Sequence, residues 1–111
     1  MGVYPQGEVL LAWLVFSDGQ GSKRRPVLLV HDFGDDDLLV VPVTSHPART
    51  GNDVVVSKWR EADLKLPSTI RAEKLATISK SSVERRLGRL ATGDMAEFRK
   101  VLALVCKELV A

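Results

Sequence analysis

The feature that most constrains this chain is a run of four apolar residues, Val27 to Val30, that directly follows three cations and a proline. An apolar run of this kind predicts a buried strand. The cations Lys23, Arg24 and Arg25 cannot be buried cheaply. We therefore expect them at the mouth of that strand, facing water or an anion.

Pro26 restricts the residue before it as well as itself. Proline fixes its own φ and favours extended geometry at the preceding position, so the backbone of Arg25 is held at a defined point. A guanidinium held in this way suits phosphate recognition, because its planar fork of donors matches phosphate oxygens and stays charged. A solvated loop that happens to be basic accounts for this stretch equally well.

Size and composition narrow the functional classes. A chain of 111 residues predicts one domain, residues 1–111, and 45% hydrophobic with 27% charged residues argues against disorder. The net charge of +2 is small, so any anion site must come from local clustering. The single cysteine, Cys106, excludes an intrachain disulfide and fits a reducing compartment. Without a basic signal region or a long apolar run, we expect a cytoplasmic protein that does not contact membranes.

Periodicity and turn residues predict five strands and two short helical pieces. The sharp acidic turn at 34–37 separates the second strand from the third, and Pro42 inside the third predicts a bulge or a free edge. A brief helical turn is expected at 58–62, and a short helix at 83–87 that ends at Gly88. The predicted strands cover residues 9–16, 26–31, 38–45, 54–56 and 67–78.

The last segment predicts the clearest helix. Asp94 is a favourable N-cap, and Glu97 follows at capping-box spacing. Leu104 falls on the polar side, a hint of a partner surface. The opposite face is apolar and is expected to be buried; it carries Phe98, Val101, Leu102, Val105, Cys106 and Leu109.

These elements together predict a mainly β protein with short helices. Five strands of this length suggest a small SH3-like barrel, and the C-terminal α-helix would cover an open face or end of it. Trp13 and Phe98 are expected in the core.

The usual catalytic motifs are missing from the sequence. His31 and His46 have no partners at metal-ligand spacing, and neither a nucleophile elbow nor a phosphate-binding glycine loop occurs. We therefore predict no metal and no cofactor.

What remains is a set of polar groups at strand ends. Arg25 begins the second predicted strand, and Thr44 and Ser45 end the third. Arg71 and Glu73 stand two residues apart on the fifth, so they should share one face of the sheet. Such a pair is either a structural ion pair or a phosphate clamp beside a proton acceptor.

Five segments in order and spacing resemble the MazF/PemK toxins of type II toxin–antitoxin systems. They are Gly7-Glu8-Val9, KRRPVLLV at 23–30, VPVTS at 41–45, IRAEKLATI at 70–78 and LGRL at 87–90. The resemblance implies a homodimeric SH3-like barrel that cleaves single-stranded RNA, such as mRNA, without a metal. It also implies a cognate antitoxin whose disordered acidic segment blocks the site.

By position, the resemblance places Arg25 on the scissile phosphate and Thr44 beside it. Arg71 and Glu73 match the family's acid and base groups, although Glu73 stands where that branch has an aspartate. The hypothesis is that the RNA 2′-hydroxyl attacks the adjacent phosphate to give a 2′,3′-cyclic phosphate, with Glu73 as the base. His46 could also reach the substrate.

Further residues are predicted to bind RNA. Lys23 and Arg24 would attract its backbone, and Ser45 stands next to Thr44. Trp59 could stack on a base, although a structural tryptophan that caps the barrel is the simpler interpretation.

Two other functions are open. CcdB-type toxins share this barrel and bind DNA gyrase without catalysis, but the tryptophan expected at the end of the terminal helix is absent and the basic cluster would have no role. The other alternative is a catalytically inactive SH3-like interaction module.

Overall fold

The computed structural model describes residues 3–15 and 21–111, which form seven strands and one long helix. The predicted fold class, mainly β with a C-terminal helix, is confirmed. Phe16, the last residue of the first predicted strand, lies outside the described residues. The elements are β1 (Glu8–Val15), β2 (Ser22–His31), β3 (Asp37–Thr44), β4 (Asp53–Val55), β5 (Thr69–Arg71), β6 (Ala76–Ser79), a 3₁₀ turn (Lys80–Ser82), β7 (Val83–Arg89) and α1 (Thr92–Leu109).

The strands pair antiparallel in the order β4-β5-β3-β2-β1-β7, and β6 joins β3 beside β5. Among the described residues the pairing does not close, so the sheet is an open form of the predicted barrel. Pro42 pairs with Val27 of β2, while on the other side of β3 the pairing with β6 ends at Val40 and that with β5 begins at Val43. The expected free edge at Pro42 is thus confirmed over one short gap between these two partners.

The apolar run in β2 is unbroken because the sheet is buried on both faces. Leu28 and Val30 belong to one core cluster, and Val27 and Leu29 to a second cluster on the opposite face. Helix α1 covers the first cluster, where Phe98 is fully buried as expected. Burying an aliphatic side chain of this size contributes ~1.5–3 kcal/mol, so alternating burial gives each residue of the run a stabilising role.

The basic cluster does not stand at the mouth of the strand. Strand β2 begins at Ser22, so Lys23, Arg24 and Arg25 lie within it and pair with β1. All three are exposed because the β1–β2 hairpin extends beyond the core at this end. Trp13, expected in the core, is 45% exposed for the same reason, and the Arg24 guanidinium lies 5.7 Å from its ring centroid.

The prediction of a helix at 83–87 was wrong. These residues begin β7, which pairs with β1 and continues to Arg89. A five-residue helix is marginal by itself, whereas the edge of β1 offers a full ladder of backbone hydrogen bonds.

The long fifth strand predicted at 67–78 is two short strands, β5 and β6. The chain turns after Arg71, and the Lys74 N–H donates to the Arg71 carbonyl at 3.1 Å. Residues 58–62, predicted to form a helical turn, form consecutive hydrogen-bonded turns without a helix.

Helix α1 begins three residues earlier than predicted. Ala91 is its N-cap and makes no side-chain cap, so Asp94 is not the cap and the proposed box with Glu97 does not form. The buried Asp94 carboxylate instead accepts hydrogen bonds from the backbone N–H groups of Ser57 at 3.0 Å and Lys58 at 2.9 Å.

The apolar face of α1 is narrower than predicted. Phe98, Val101 and Val105 are buried, but Cys106 is exposed rather than part of the core. Leu104 is 60% exposed, as its place on the polar side indicated. The helix therefore carries apolar side chains in solvent near its C-terminal end.

Asp32 holds the N-terminal segment against the β2–β3 hairpin. Its side chain is 1% exposed and accepts hydrogen bonds from the backbone N–H of Tyr4 at 3.0 Å and of Gly34 at 2.9 Å. Lys80 Nζ lies 3.1 Å from its Oδ1. The Tyr4 and Gly34 bonds, followed by Lys80, lower the pKa of Asp32 from 3.8 to about 2, although burial opposes this change.

This carboxylate should make stability depend on pH in the acid range. Its pKa is lower in the folded state, so its contribution is complete above pH 3.8 and is lost as the pH falls to about 2. Asp32→Asn should therefore lower the free energy of unfolding at pH 7, and the difference from wild type should shrink between pH 3.8 and about 2. Urea denaturation at a series of pH values measures this, with the exposed Asp36→Asn as control. A difference that stays constant down to pH 2 would contradict the assignment.

Candidate functional site

A cavity of about 570 Å³ opens where β2, β3 and β7 meet the segment 63–68. Five of the nine residues predicted for the site line it: Arg25, Thr44, Ser45, His46 and Arg71. Its volume falls in the range of small-molecule sites, which exceeds what one phosphate group needs. Much of the lining is apolar and comes from Leu11, Leu14, Pro26, Pro42, Val43, Leu64, Leu66 and Leu87.

The sheet register brings the predicted residues together. Val27 of β2 and Pro42 of β3 form the last pair between these two strands, and Arg25 and Thr44 each stand two residues beyond this pair, toward the same end of the sheet. Thr44 in turn pairs with Thr69 of β5, and Arg71 ends that strand two residues later. Three strands therefore deliver two arginines and a threonine to one end of the sheet.

The Thr44 side chain is oriented by its own loop. Its Oγ1 accepts a hydrogen bond from the backbone N–H of His46 at 3.2 Å, which also fixes Ser45 and His46 against the end of β3. The hydroxyl proton of Thr44 is still available as a donor, because a hydroxyl can donate and accept at the same time.

The cavity is cationic. Arg25, Lys65, Arg71 and Arg85 line it together with one carboxylate, Asp63, which gives a formal charge of +3. Within the described part of the chain, none of these four cationic side chains makes a hydrogen bond or an ion pair. Clustered cations without partners create a positive potential that favours an anionic ligand.

Three charged lining residues were missed by sequence reasoning. Arg85 was assigned to a helix, and its approach to the cavity depends on the pairing of β7 with β1, where it stands opposite Leu11. Lys65 and Asp63 belong to a segment without periodicity. Asp63 has a left-handed backbone, with φ of 59°, a conformation that aspartate tolerates better than most residues.

Glu73, predicted as the base, does not line the cavity. Strand β5 ends at Arg71, so Glu73 stands in the turn that follows and the two residues do not share a strand face as predicted. Its exposed carboxylate accepts a hydrogen bond from the Thr50 hydroxyl at 3.4 Å.

Three of the predicted RNA contacts, Lys23, Arg24 and Trp59, also lie outside the cavity lining. Lys23 lies on β2 two residues before Arg25, the first residue of β2 in the lining. Arg24 forms an ion pair with Glu84 at 2.8 Å. Trp59 is half-buried against the first core cluster, with the Arg60 guanidinium 4.7 Å from its ring centroid. These contacts favour the structural interpretation of Trp59.

Residues 63–66 form one wall of the cavity, and the segment 57–66 to which they belong is held at two points. Asp94 binds its start through the two backbone hydrogen bonds described above. Further along, Gly88 of β7 lies directly under Ala62: a Cβ at position 88 would be 2.8 Å from both the carbonyl carbon and the oxygen of Ala62. Only glycine allows so close an approach.

The described residues contain no group of three or more histidine, cysteine, aspartate or glutamate side chains that could hold a metal ion. The chemistry available in the cavity is therefore that of guanidinium, ammonium, hydroxyl, imidazole and carboxylate groups.

Comparison with known proteins gives one family. The family model described as "PemK-like, MazF-like toxin of type II toxin-antitoxin system" matches residues 5–106. A search of curated proteins found no match.

Solved structures share the fold at low sequence identity. A mycobacterial endoribonuclease has a TM-score of 0.75 at 18% identity, with 96% of this chain and 94% of that chain covered. A MazE–MazF crystal structure from Deinococcus radiodurans has a TM-score of 0.75 at 20% identity, covering 96% and 98%. A mycobacterial endoribonuclease in complex with its cognate antitoxin has a TM-score of 0.74 at 20% identity, covering 94% and 96%.

The contact at Gly88 predicts that its replacement disturbs the cavity wall. Gly88→Ala should destabilise the fold by roughly 1–3 kcal/mol, because the added methyl group meets backbone that cannot move independently. Gly93→Ala is the matched control, since a Cβ there meets nothing within 4 Å. Urea midpoints of the two variants measure the difference, and equal midpoints would show that the wall is not tightly packed.

Proposed function

The chain belongs to the family of PemK-like, MazF-like toxins of type II toxin–antitoxin systems, and we propose from this and from its cavity that it is an endoribonuclease that cleaves single-stranded RNA. The observation that carries the proposal is the convergence of Arg25, Thr44 and Arg71 on one cationic cavity. RNA supplies the anionic ligand that such a cavity favours.

The reaction we propose needs no metal. The 2′-oxygen of RNA attacks the adjacent phosphorus, so a P–O2′ bond forms while the P–O5′ bond breaks. The 2′-hydroxyl proton passes to a base, and the departing 5′-oxygen receives a proton. The products are a 2′,3′-cyclic phosphate and a free 5′-hydroxyl, without a water molecule being consumed.

Arg25 and Arg71 would stabilise the extra negative charge that develops on the phosphate oxygens. Preorganised donors aimed at developing charge are usually the largest single contribution to such catalysis. The Thr44 hydroxyl, oriented by the His46 N–H, would donate to a non-bridging oxygen.

We assign the general base to His46 rather than Glu73. His46 lines the cavity, whereas Glu73 stands outside it and is engaged by Thr50. Histidine is also the residue type most often used for proton transfer in enzymes.

The partners follow from the relatives. One similar structure is a MazE–MazF complex, and another is an endoribonuclease in complex with its cognate antitoxin. We therefore propose that an antitoxin neutralises this protein. We also propose a cytoplasmic homodimer, with Leu104 and other exposed apolar residues of α1 as candidates for its contact. No helix described in the structure is long and apolar enough to cross a membrane.

The gyrase-binding alternative is less well supported. The matching family model is that of PemK-like and MazF-like toxins, and a cluster of unpartnered cations in a cavity has no role in a contact made by a terminal helix.

Loss of Arg25 should reduce cleavage on the order of 100- to 1,000-fold in kcat, the usual cost of removing one charge-stabilising donor. The assay is cleavage of a long single-stranded RNA by the purified Arg25→Ala variant in excess EDTA, with detection of cyclic-phosphate ends. Arg99→Ala, on α1 outside the cavity, is the control for charge. A folded Arg25→Ala protein that cleaves at the wild-type rate would remove Arg25 from the site.

The base is tested by two variants. His46→Ala should lower kcat by about 100-fold or more, because general base catalysis typically contributes 10²–10⁴-fold. Glu73→Gln should stay within about threefold of wild type. The opposite pattern, with Glu73→Gln inactive and His46→Ala active, would return the base to Glu73.

A further inference from the structure

The cavity has two cationic sides, and the proposed reaction uses only one of them. Arg25, Thr44 and Arg71 come from β2, β3 and β5. Lys65 and Arg85 belong to the 63–66 wall and to β7, the strand at the other end of this part of the sheet. The proposed reaction assigns no step to these last two cations.

The separation of the two sides follows from the sheet register. Arg85 pairs with Leu11 of β1, and Leu11 pairs with Pro26 of β2. The backbones of Arg85 and Pro26 are therefore two interstrand spacings apart, about 10 Å at ~4.8 Å each. Arg25 is the neighbour of Pro26, so one phosphate on Arg25 leaves Arg85 free to meet another.

The 63–66 wall brings Lys65 to the same side as Arg85. Ala62 lies in contact with Gly88, and Asp63 packs over the same glycine, which fixes the wall against β7 three residues beyond Arg85. Within the described residues, neither Lys65 nor Arg85 has a side-chain partner that would neutralise its charge.

We propose that Lys65 and Arg85 form a second phosphate subsite, which binds the phosphate next to the scissile one. This inference rests on the proposed function, because a polymer with a phosphate at every nucleotide is what two separated cationic sides would recognise. The apolar floor between them, formed in part by Leu11 and Pro26, would lie under the base or sugar that links the two phosphates.

Asp63 offers a variant that changes the charge of the second subsite in the opposite direction. Its carboxylate lines the same side as Lys65 and has no hydrogen-bond or ion-pair partner in the described part of the chain. A negative charge there opposes a phosphate at the second subsite. Asp63→Asn removes this charge and keeps a residue type that tolerates the left-handed backbone.

The test is the salt dependence of binding to a single-stranded RNA that is 2′-O-methylated throughout and so cannot be cleaved by its own 2′-oxygen. The slope of log K against log salt should fall in magnitude by about 0.7 for each phosphate of the single strand that the protein no longer neutralises. Lys65→Ala/Arg85→Ala removes the subsite for one phosphate, so it should lower the slope by about 0.7 and weaken binding at low salt, about two- to fivefold for each cation. Asp63→Asn should tighten binding instead.

The kinetic constants KM and kcat distinguish a loss at this subsite from a loss at the reacting phosphate. On cleavable RNA, the double variant should raise KM and keep kcat within about threefold of wild type, whereas Arg25→Ala should lower kcat. Arg99→Ala/Lys107→Ala, which removes two positive charges from α1 outside the cavity lining, is the charge-matched control and should change neither value. If the alanine variant does not fold, Lys65→Gln/Arg85→Gln and Asp63→Asn carry the same test.

The outcomes separate the two proposals. A wild-type protein that neither binds nor cleaves RNA overturns the proposed function. A wild-type protein that cleaves RNA, with a double variant that keeps the wild-type salt slope and KM, overturns the second subsite alone. A drop in kcat rather than a rise in KM would place Lys65 and Arg85 at the reacting phosphate and would also overturn the inference.

Discussion

Burial of both faces of the central strands is the constraint on which the rest of this structure depends. Residues of β2 point alternately into two core clusters, one under α1 and one on the opposite face. A strand buried in this way leaves no face for charged groups along its middle. Charged and polar groups of β2 and β3 are therefore confined to the places where these strands extend beyond the core, and the candidate site lies at such a place.

The site is assembled from strand ends and one loop wall. Arg25 and Thr44 stand two residues beyond the last pair of β2 and β3, and the short β5 adds Arg71. The wall that completes the cavity has little regular structure, and its position depends on the Asp94 carboxylate and on the close approach at Gly88. The sheet and the anchored loop together place four cations, which have no side-chain partners among the described residues, around one cavity, an arrangement that favours an anionic ligand.

Local chemistry marks two of the residues that line the cavity. Pro26 marks Arg25 and the end of an apolar strand marks Thr44, but only the family resemblance placed both residues at one phosphate. No local feature marks Arg85, because its place depends on a long-range pairing of β7 with β1. Glu73 was misplaced for a related reason: alternation alone does not show where a strand ends, and β5 ends at Arg71. The true role of Asp94 was equally hidden from local patterns, because its contacts with Ser57 and Lys58 span more than thirty positions.

Strand β3 pairs with two different strands along one of its edges. The first four residues of β3 pair with the four-residue β6, which leads to Lys80 and its buried partner Asp32, whereas the last two pair with β5. Strands β4 and β5 have three residues each, so few backbone hydrogen bonds hold them to the rest of the sheet. Ile70 and Val54 are buried in the first core cluster, so packing rather than a long ladder of hydrogen bonds holds this pair of strands to the sheet. Arg71 directly follows Ile70, so the position of this arginine in the cavity depends on the packing of its apolar neighbour.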